Sequence, residues 1–248
     1  MIKFFRHIRK KLLSENKFSK YLLYAIGEII LVVIGILIAL QINNWNENKK
    51  ERKLEQSTLI EIKNAMELDI QLLEEEIEHQ LGNAQSATIL LNHIKAKKPY
   101  SKKLDGLWVS VVYYFFVDFN TSAYKLLESR GIDIIKNEGL RQDVVDHYNI
   151  QQTRLQRSFR PSEHLSNEYI VYFFDRVYPD ITADFQKTFD IKNESWAPKD
   201  YEALLNDPTL IPKISHNIKT RYRFLVMLED FLKKQKILVK EIENELNK

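Results

Sequence analysis

The sequence predicts an all-α protein anchored in a membrane near its N-terminus. Residues 21–42 form an apolar segment, and residues 54–97 and 208–247 carry apolar residues at spacings of three and four. One run, Leu107–Phe119, is rich in β-branched and aromatic residues, but no second such run exists to pair with it. We therefore predict a transmembrane helix followed by an extracytoplasmic helical bundle with long amphipathic helices.

The chain divides into four parts by composition. We assign residues 1–20 to a basic cytoplasmic tail, 21–42 to the transmembrane helix, 43–53 to a linker and 54–248 to a helical periplasmic domain. The last part is long enough to bury a core of its own. The 248 residues include no cysteine, which excludes disulfides, thiol nucleophiles and thiolate metal sites.

Positive charge is concentrated in the N-terminal tail. The whole chain has a net charge of +3, but residues 1–20 hold seven basic side chains against Glu15 alone. This distribution favours a cytoplasmic N-terminus and a periplasmic domain. It does not indicate a nucleic-acid partner, which requires a basic face on the folded domain. Met1–Leu13 is either an amphipathic helix on the bilayer surface or a plain topogenic flank.

The segment Tyr21–Ile42 is long enough to cross a bilayer. At about 1.5 Å per residue its 22 residues span about 33 Å, against about 30 Å for the hydrocarbon core. The apolar run is too long for a secretory signal, and no A-x-A cleavage site follows it. We predict an uncleaved signal anchor in the inner membrane, with the lipid bilayer as its first partner.

Three residues inside this segment are candidates for contact with a partner helix. Glu28 either extends to the cytoplasmic headgroups or is simply protonated, or it faces a neighbouring helix as a hydrogen-bond donor or a proton carrier. Gly35 and Ala39 form a small-xxx-small pair that allows another helix to approach closely. Beyond the segment, the asparagine-rich residues 43–53 are either a joint or part of a continuous helix.

The region 54–97 predicts a long amphipathic helix. Its apolar residues recur at Leu59, Ile62, Met66, Ile70, Leu73, Ile77 and Leu81. Glu76-x-x-His79 has the spacing of a di-iron ligand pair, but the second pair that such sites need is missing. We therefore predict a solvated acidic face and no metal or other cofactor.

The middle of the chain predicts shorter helices. We favour a buried helix over a strand for Leu107–Phe119, and we expect Gly131 to end a helix that Thr121 or Ser122 caps. Further helices are expected at Asn137–Phe159, ended by Pro161, and at Glu163–Tyr178, ended by Pro179. Asp180–Asn206 reads as irregular, with a short helix begun by Pro198. The aromatic residues between Tyr113 and Phe189 are expected in the core, although they could also line an apolar pocket.

The last predicted helix starts near Asp207-Pro208. Leu225, Leu232, Val239 and Leu246 repeat every seven residues, with Leu228 and Ile242 between them, which is coiled-coil-like. This face either packs on the chain's own domain or pairs with a second chain. We expect the first and last long helices to pack antiparallel.

No motif in the sequence indicates an enzyme. No phosphate-binding loop, nucleophile elbow or H-E-x-x-H pattern is present. We predict a non-enzymatic interaction or scaffold protein of the cell envelope, with a protein partner or a second copy of the chain. The alternatives are a ligand-binding sensor that signals through a partner and a subunit of an ion-driven membrane machine.

The N-terminal block resembles a family of membrane-anchored proteins common in flavobacteria and their relatives. The resemblance is carried by S-E-N-K-F-S-K-Y at residues 14–21, by Gly27-Glu28 and by Q-I-N-N-W-N-E at residues 41–47. It is more diffuse at Ser122-Ala123-Tyr124, Gly139-Leu140-Arg141 and His147-Tyr148. The family has a domain of unknown function, so the resemblance implies a single-span membrane protein and no assigned activity or catalytic residue.

Overall fold

The computed structural model describes residues 18–112, 118–177 and 196–248. Within these ranges every regular element is helical, so the protein is all-α. The α-helices are α1 Phe18–Lys95, α2 Asp105–Val112, α3 Ser122–Arg130, α4 Glu138–Asp146, α5 Thr153–Val177, α6 Tyr201–Leu205 and α7 Leu210–Leu246. A π-helical turn, His147–Gln152, joins α4 to α5, and short 3₁₀ turns lie at Lys102–Leu104 and Ile132–Ile134. The surface helix predicted for Met1–Leu13 lies outside the described residues.

The chain forms two compact units, residues 1–56 and residues 57–248. In the N-terminal unit, helix α1 carries an apolar segment whose most apolar 18-residue window has a mean hydropathy of 2.6. None of that window is buried. Among the described residues, this is the helix that is long and apolar enough to cross a membrane. Residues 43–53 are helical, so of the two conformations expected there the structure has the continuous helix.

In the C-terminal unit, residues 57–95 of α1 pack antiparallel to α7, as expected. Lys63 Nζ lies 3.3 Å from Glu243 Oε1, and Lys236 pairs with Glu74 further along. Gln235 Nε2 donates to the carbonyl oxygen of Met66 at 2.8 Å. Position numbers rise along one helix as they fall along the other, which defines the direction of the pair.

The described core falls into three clusters, and α7 contributes to each. The first surrounds Trp108 and Phe173 and includes Leu210 and Ile214 of α7. The second joins Leu59, Ile62 and Met66 to Tyr124, Leu127, Leu140, Val144, Leu238, Val239 and Ile242. The third contains Leu73, Leu155, Phe224, Leu228 and Phe231. The coiled-coil-like face of α7 therefore packs on its own unit, because its residues pack in the second and third clusters.

The run Leu107–Phe119 could be helix or strand by its composition. Residues 107–112 lie in α2 and are therefore helical. Residues 113–117 lie outside the described ranges. Trp108 and Val111 are fully buried in the first cluster, so residues 107–112 owe their apolar composition to burial in a helix. The preference for a buried helix is confirmed over that half.

A buried polar network closes the C-terminal end of α2. Arg221 of α7 donates from Nη2 to the carbonyl oxygen of Ser110 at 2.6 Å, and Asn217 donates to the carbonyl oxygen of Val111 at 3.2 Å. Arg221 also binds Gln80 of α1 and, at 2.9 Å, the side-chain oxygen of Asn217. This network ties the last described turn of α2 to α7 and α1.

The end predicted at Pro161 is wrong. The backbone is helical from Thr153 to Val177, through the proline. A proline removes one intrahelical hydrogen bond and favours a kink, but it does not prevent the helix from continuing when both sides are packed. Leu155 before it and Phe173 and Val177 after it are buried, and this packing outweighs the local preference.

Candidate functional site

The three candidate residues of the apolar segment lie on one face of α1. At about 100° per residue, positions 28, 35 and 39 fall within about 40° of one another. Ala39 is exposed, and a Cβ added at Gly35 would meet nothing within 4 Å. Glu28 is half-buried. The helix therefore presents a carboxyl group and two small residues in one row, bordered by exposed large apolar side chains.

Sequence reasoning missed a fourth member of this face. Because α1 is helical through residues 43–53, Asn46 falls in line with Glu28, 18 positions or five turns further on. Asn46 is exposed. The row thus has a polar residue at each end and small residues between them. The signal was present in the sequence, but it required knowing that the asparagine-rich stretch is helix.

A second candidate lies in the C-terminal unit at the π-helical turn His147–Gln152. Each residue of a π turn advances less around the axis than in an α-helix, so the turn accommodates one more residue and shifts the buried face. A regular α-helix that buries Tyr148 and Leu155 would also bury Gln151, but the structure buries Gln152, at 3 % exposure, and leaves Gln151 half-buried. Single π turns inside helices are frequent at functional sites.

The buried face of the π turn meets a polar group on α1. The backbone N–H of Asn120 donates to both carboxylate oxygens of Asp69, at 3.0 and 3.2 Å. Asp69 is 2 % exposed, and its burial raises the pKa of its carboxyl group despite that hydrogen bond. Tyr148 stacks on Tyr124 at 4.4 Å between ring centroids, and burial, followed by the nearby Asp69, raises the pKa of the Tyr148 hydroxyl.

His147 lies at the centre of this region, 1 % exposed. Its ring stacks on Phe231 at 5.1 Å and meets Tyr148 edge-on at 5.2 Å. Neither ring nitrogen has a hydrogen-bond partner among the described residues. Burial lowers the pKa of His147 to about 4, so the ring is neutral at pH 7.

An open cleft of about 240 Å³ lies between the π turn with α5 and helix α7. Its lining combines apolar and charged side chains: Gln151, Arg154, Leu155, Met227, Asp230, Phe231 and Lys234. Lys234 pairs with Asp230 at 2.6 Å. The cleft could not be predicted from the sequence, because its residues come from two segments about 75 positions apart whose pairing depends on the tertiary fold.

The expectation of a solvated acidic face at Glu76-x-x-His79 agrees with the geometry. The side chain of His79 is 64 % exposed, and its Nδ1 lies 3.8 Å from Glu76 Oε1. Glu76 accepts a hydrogen bond from Gln80 at 2.6 Å. Within residues 18–112, 118–177 and 196–248, no group of three or more histidine, aspartate or glutamate side chains is placed to hold a metal ion.

Comparison with known proteins places the chain in a family without an assigned activity. No curated protein matches it. No solved structure matches it either. A family model described as a family of unknown function, DUF6090, matches residues 28–159, which include Glu28, Gly35, Ala39 and the π turn. Since the match covers more than half of the 248 residues, the chain belongs to the family of unknown function DUF6090.

Proposed function

We propose that this protein is a membrane-anchored helical interaction protein of the cell envelope. In this proposal α1 crosses the inner membrane once, with the basic residues 1–20 in the cytoplasm and the C-terminal unit in the periplasm. The observation that carries it is the row of Glu28, Gly35 and Ala39 on one face of an apolar helix. The proposed action is to hold a partner protein, or a second copy of the chain, against that face.

The chemistry of the row supports helix–helix contact. In a bilayer, helices associate through close packing and interhelical hydrogen bonds, because lipid tails are as apolar as the side chains. Because Gly35 has no side chain and Ala39 only a methyl group, the backbone of a second helix can approach α1 closely at these positions. A carboxyl group in hydrocarbon is costly unless it is hydrogen-bonded, and a facing helix can offer Glu28 a further partner besides its contacts within the chain.

Substitution of Gly35 tests the contact directly. We expect Gly35→Ile to reduce co-purification of the partner from mild detergent by about tenfold, because a branched side chain separates the two helices. Gly27→Ile is the matched control, since Gly27 is also open to 4 Å but lies about 80° away around the helix. Equal losses in the two variants, or no loss in either, would show that this face makes no contact.

Two further measurements identify the partner and the topology. Two copies of the chain with different tags, expressed together, will co-purify if the partner is a second copy. A reporter fused to the C-terminus is expected to be active only outside the cytoplasm, since positive charges on the N-terminal side favour that orientation. A reporter active only in the cytoplasm would contradict the proposed orientation.

A further inference from the structure

We propose that the cleft between the π turn and α7 binds a small monocarboxylate with an apolar or aromatic body and one hydrogen-bond donor. This site lies wholly in the C-terminal unit, and it goes beyond the proposed helix contact. Loss of ligand binding would leave co-purification through Gly35 unchanged, so the two proposals fail separately.

The floor of the cleft is apolar and well supported. Leu155 and Phe231 are 3 % and 4 % exposed, and Met227 is half-buried beside them. Phe231 is held between two rings, with Phe119 at 5.0 Å and His147 at 5.1 Å. A floor fixed in this way loses little side-chain freedom when a ligand covers it, which favours binding.

The size of the cleft limits the ligand. Its volume of about 240 Å³ lies just below the range of about 300–1,000 Å³ that is common for drug-sized molecules. It equals about eight water molecules at about 30 Å³ each. A single ring or a short branched chain fills this space.

The charged side chains around the cleft favour a ligand that carries one negative charge. Lys234 is paired with Asp230, whereas Arg154 has no hydrogen bond or ion pair among the described residues. A guanidinium group binds a carboxylate through two parallel hydrogen bonds, which gives both strength and orientation. Asp230 disfavours a second negative charge, so the lining, at a net charge of +1, matches a monocarboxylate.

Gln151 requires a donor from the ligand. Its Oε1 is buried in the half-buried side chain and accepts no hydrogen bond from the described residues. A buried acceptor without a donor is destabilising, so rotation of the Gln151 amide toward the cleft, where a ligand hydroxyl or ammonium group donates to it, removes that cost. Gln151 lines the cleft because the π turn moves this residue from the core-facing position to the edge of the core.

Three related probes test the chemical class on the full chain in detergent. We expect 4-hydroxyphenylacetate to bind with a dissociation constant on the order of 1 mM, measured by calorimetry or ligand-detected nuclear magnetic resonance. Phenylacetate, which lacks the donor, is expected to bind more weakly. Tyramine, which carries a cation in place of the carboxylate, is expected not to bind. Absence of saturable binding of 4-hydroxyphenylacetate, or equal binding of tyramine, would overturn the proposal.

Matched variants locate the binding in the cleft. We expect Arg154→Gln to weaken 4-hydroxyphenylacetate binding by about tenfold or more. Arg157→Gln, an exposed arginine three residues away that does not line the cleft, is expected to change nothing. Gln151→Met is expected to remove the preference for 4-hydroxyphenylacetate over phenylacetate. If Arg154→Gln binds as tightly as the unchanged chain, the probe does not occupy this cleft.

Discussion

His147 is a buried, neutral histidine between two aromatic rings, and this makes the C-terminal unit sensitive to acid. Its pKa is about 4 in the folded protein, against 6.5 for an exposed histidine. The unfolded chain therefore takes up a proton as the pH falls through about 6.5, whereas the folded protein does so only near pH 4. Stability is present above about pH 6.5 and decreases as the pH falls toward 4, by up to about 3 kcal/mol.

Substitution of His147 tests this sensitivity. We expect His147→Leu to flatten the decrease in unfolding free energy between about pH 6.5 and about pH 4.5, because the buried imidazole ring that resists protonation is then absent from the folded protein. The measurement is chemical unfolding at several pH values. His79→Gln is the control, since the side chain of His79 is 64 % exposed and the substitution should leave the profile unchanged. A His147→Leu profile as steep as that of the unchanged chain would assign the acid sensitivity to other groups.

At the scale of single residues, the sequence predicts burial where the helix is regular. Leu59, Ile62, Met66 and Leu73 were expected on the buried face of α1 and are buried. Further along, Leu81 is 41 % exposed because Gln80 takes the buried position and binds Arg221. An arginine on a distant segment decides which of two neighbours is buried, and no local pattern contains that information.

At the scale of elements, Arg221 of α7 ties α2 to the rest of the C-terminal unit through the carbonyl oxygen of Ser110. We expect Arg221→Met to lower the free energy of unfolding by about 3 kcal/mol, because it leaves the carbonyl oxygen of Ser110 and the side chain of Gln80 without this buried donor. Thermal or urea unfolding measures the loss. Arg223→Met, an exposed neighbour, is expected to change stability by less than about 0.5 kcal/mol. A similar small effect for Arg221→Met would show that water replaces the guanidinium group.

Replacing a glycine by alanine is expected to have opposite effects on stability at a helix end and in a helix interior. Gly131 closes α3 at φ 107°, a conformation that a side chain disfavours, so Gly131→Ala is expected to destabilise by about 1–2 kcal/mol. Gly82 lies inside α1, where an added Cβ meets nothing within 4 Å. Gly82→Ala is therefore expected to stabilise by about 0.5–1 kcal/mol. Unfolding curves of the two variants that shift in the same direction would contradict the argument.

Element types were more predictable than element boundaries. The C-cap at Gly131 follows from local chemistry and is found as expected. A helix was expected from Asn137 onward, and the structure adds that Asn137 is its N-cap, whose side chain accepts from the N–H of Leu140 at 3.2 Å. The boundary at Pro161 failed because packing on both sides of the proline outweighs its local effect. Residues 107–112 were ambiguous because a fully buried helix and a buried strand share the same composition.

At the scale of the whole molecule, we expect membrane anchoring and folding to be properties of different units, the N-terminal and the C-terminal unit. We expect the full chain to remain with membranes after alkaline extraction, and a chain without residues 21–42 to be released as a folded helical protein. Sedimentation after extraction, followed by circular dichroism of the released protein, measures both. Release of the full chain would show that the apolar part of α1 does not hold the protein in a bilayer.

The all-α class and the antiparallel pair were predictable at this scale because they follow from periodicity and from the lack of a pairing strand. The cleft was not, since residues 151–155 and 227–234 meet only after α5 and α7 have packed. The candidate row in the apolar helix was predictable only in part. Its members were predicted singly, and the continuous helix then placed Asn46 with them.

The position of α7 also determines when the C-terminal unit can mature during synthesis. Each of the three core clusters takes residues from α7, and α7 follows all its packing partners in the chain. A growing polypeptide that has been translated only as far as Asn206 therefore lacks the α7 residues of all three core clusters. A pause in translation before this helix would leave the nascent chain dependent on chaperones. A premature stop codon at that point would give a product with incomplete core clusters, which proteases would degrade.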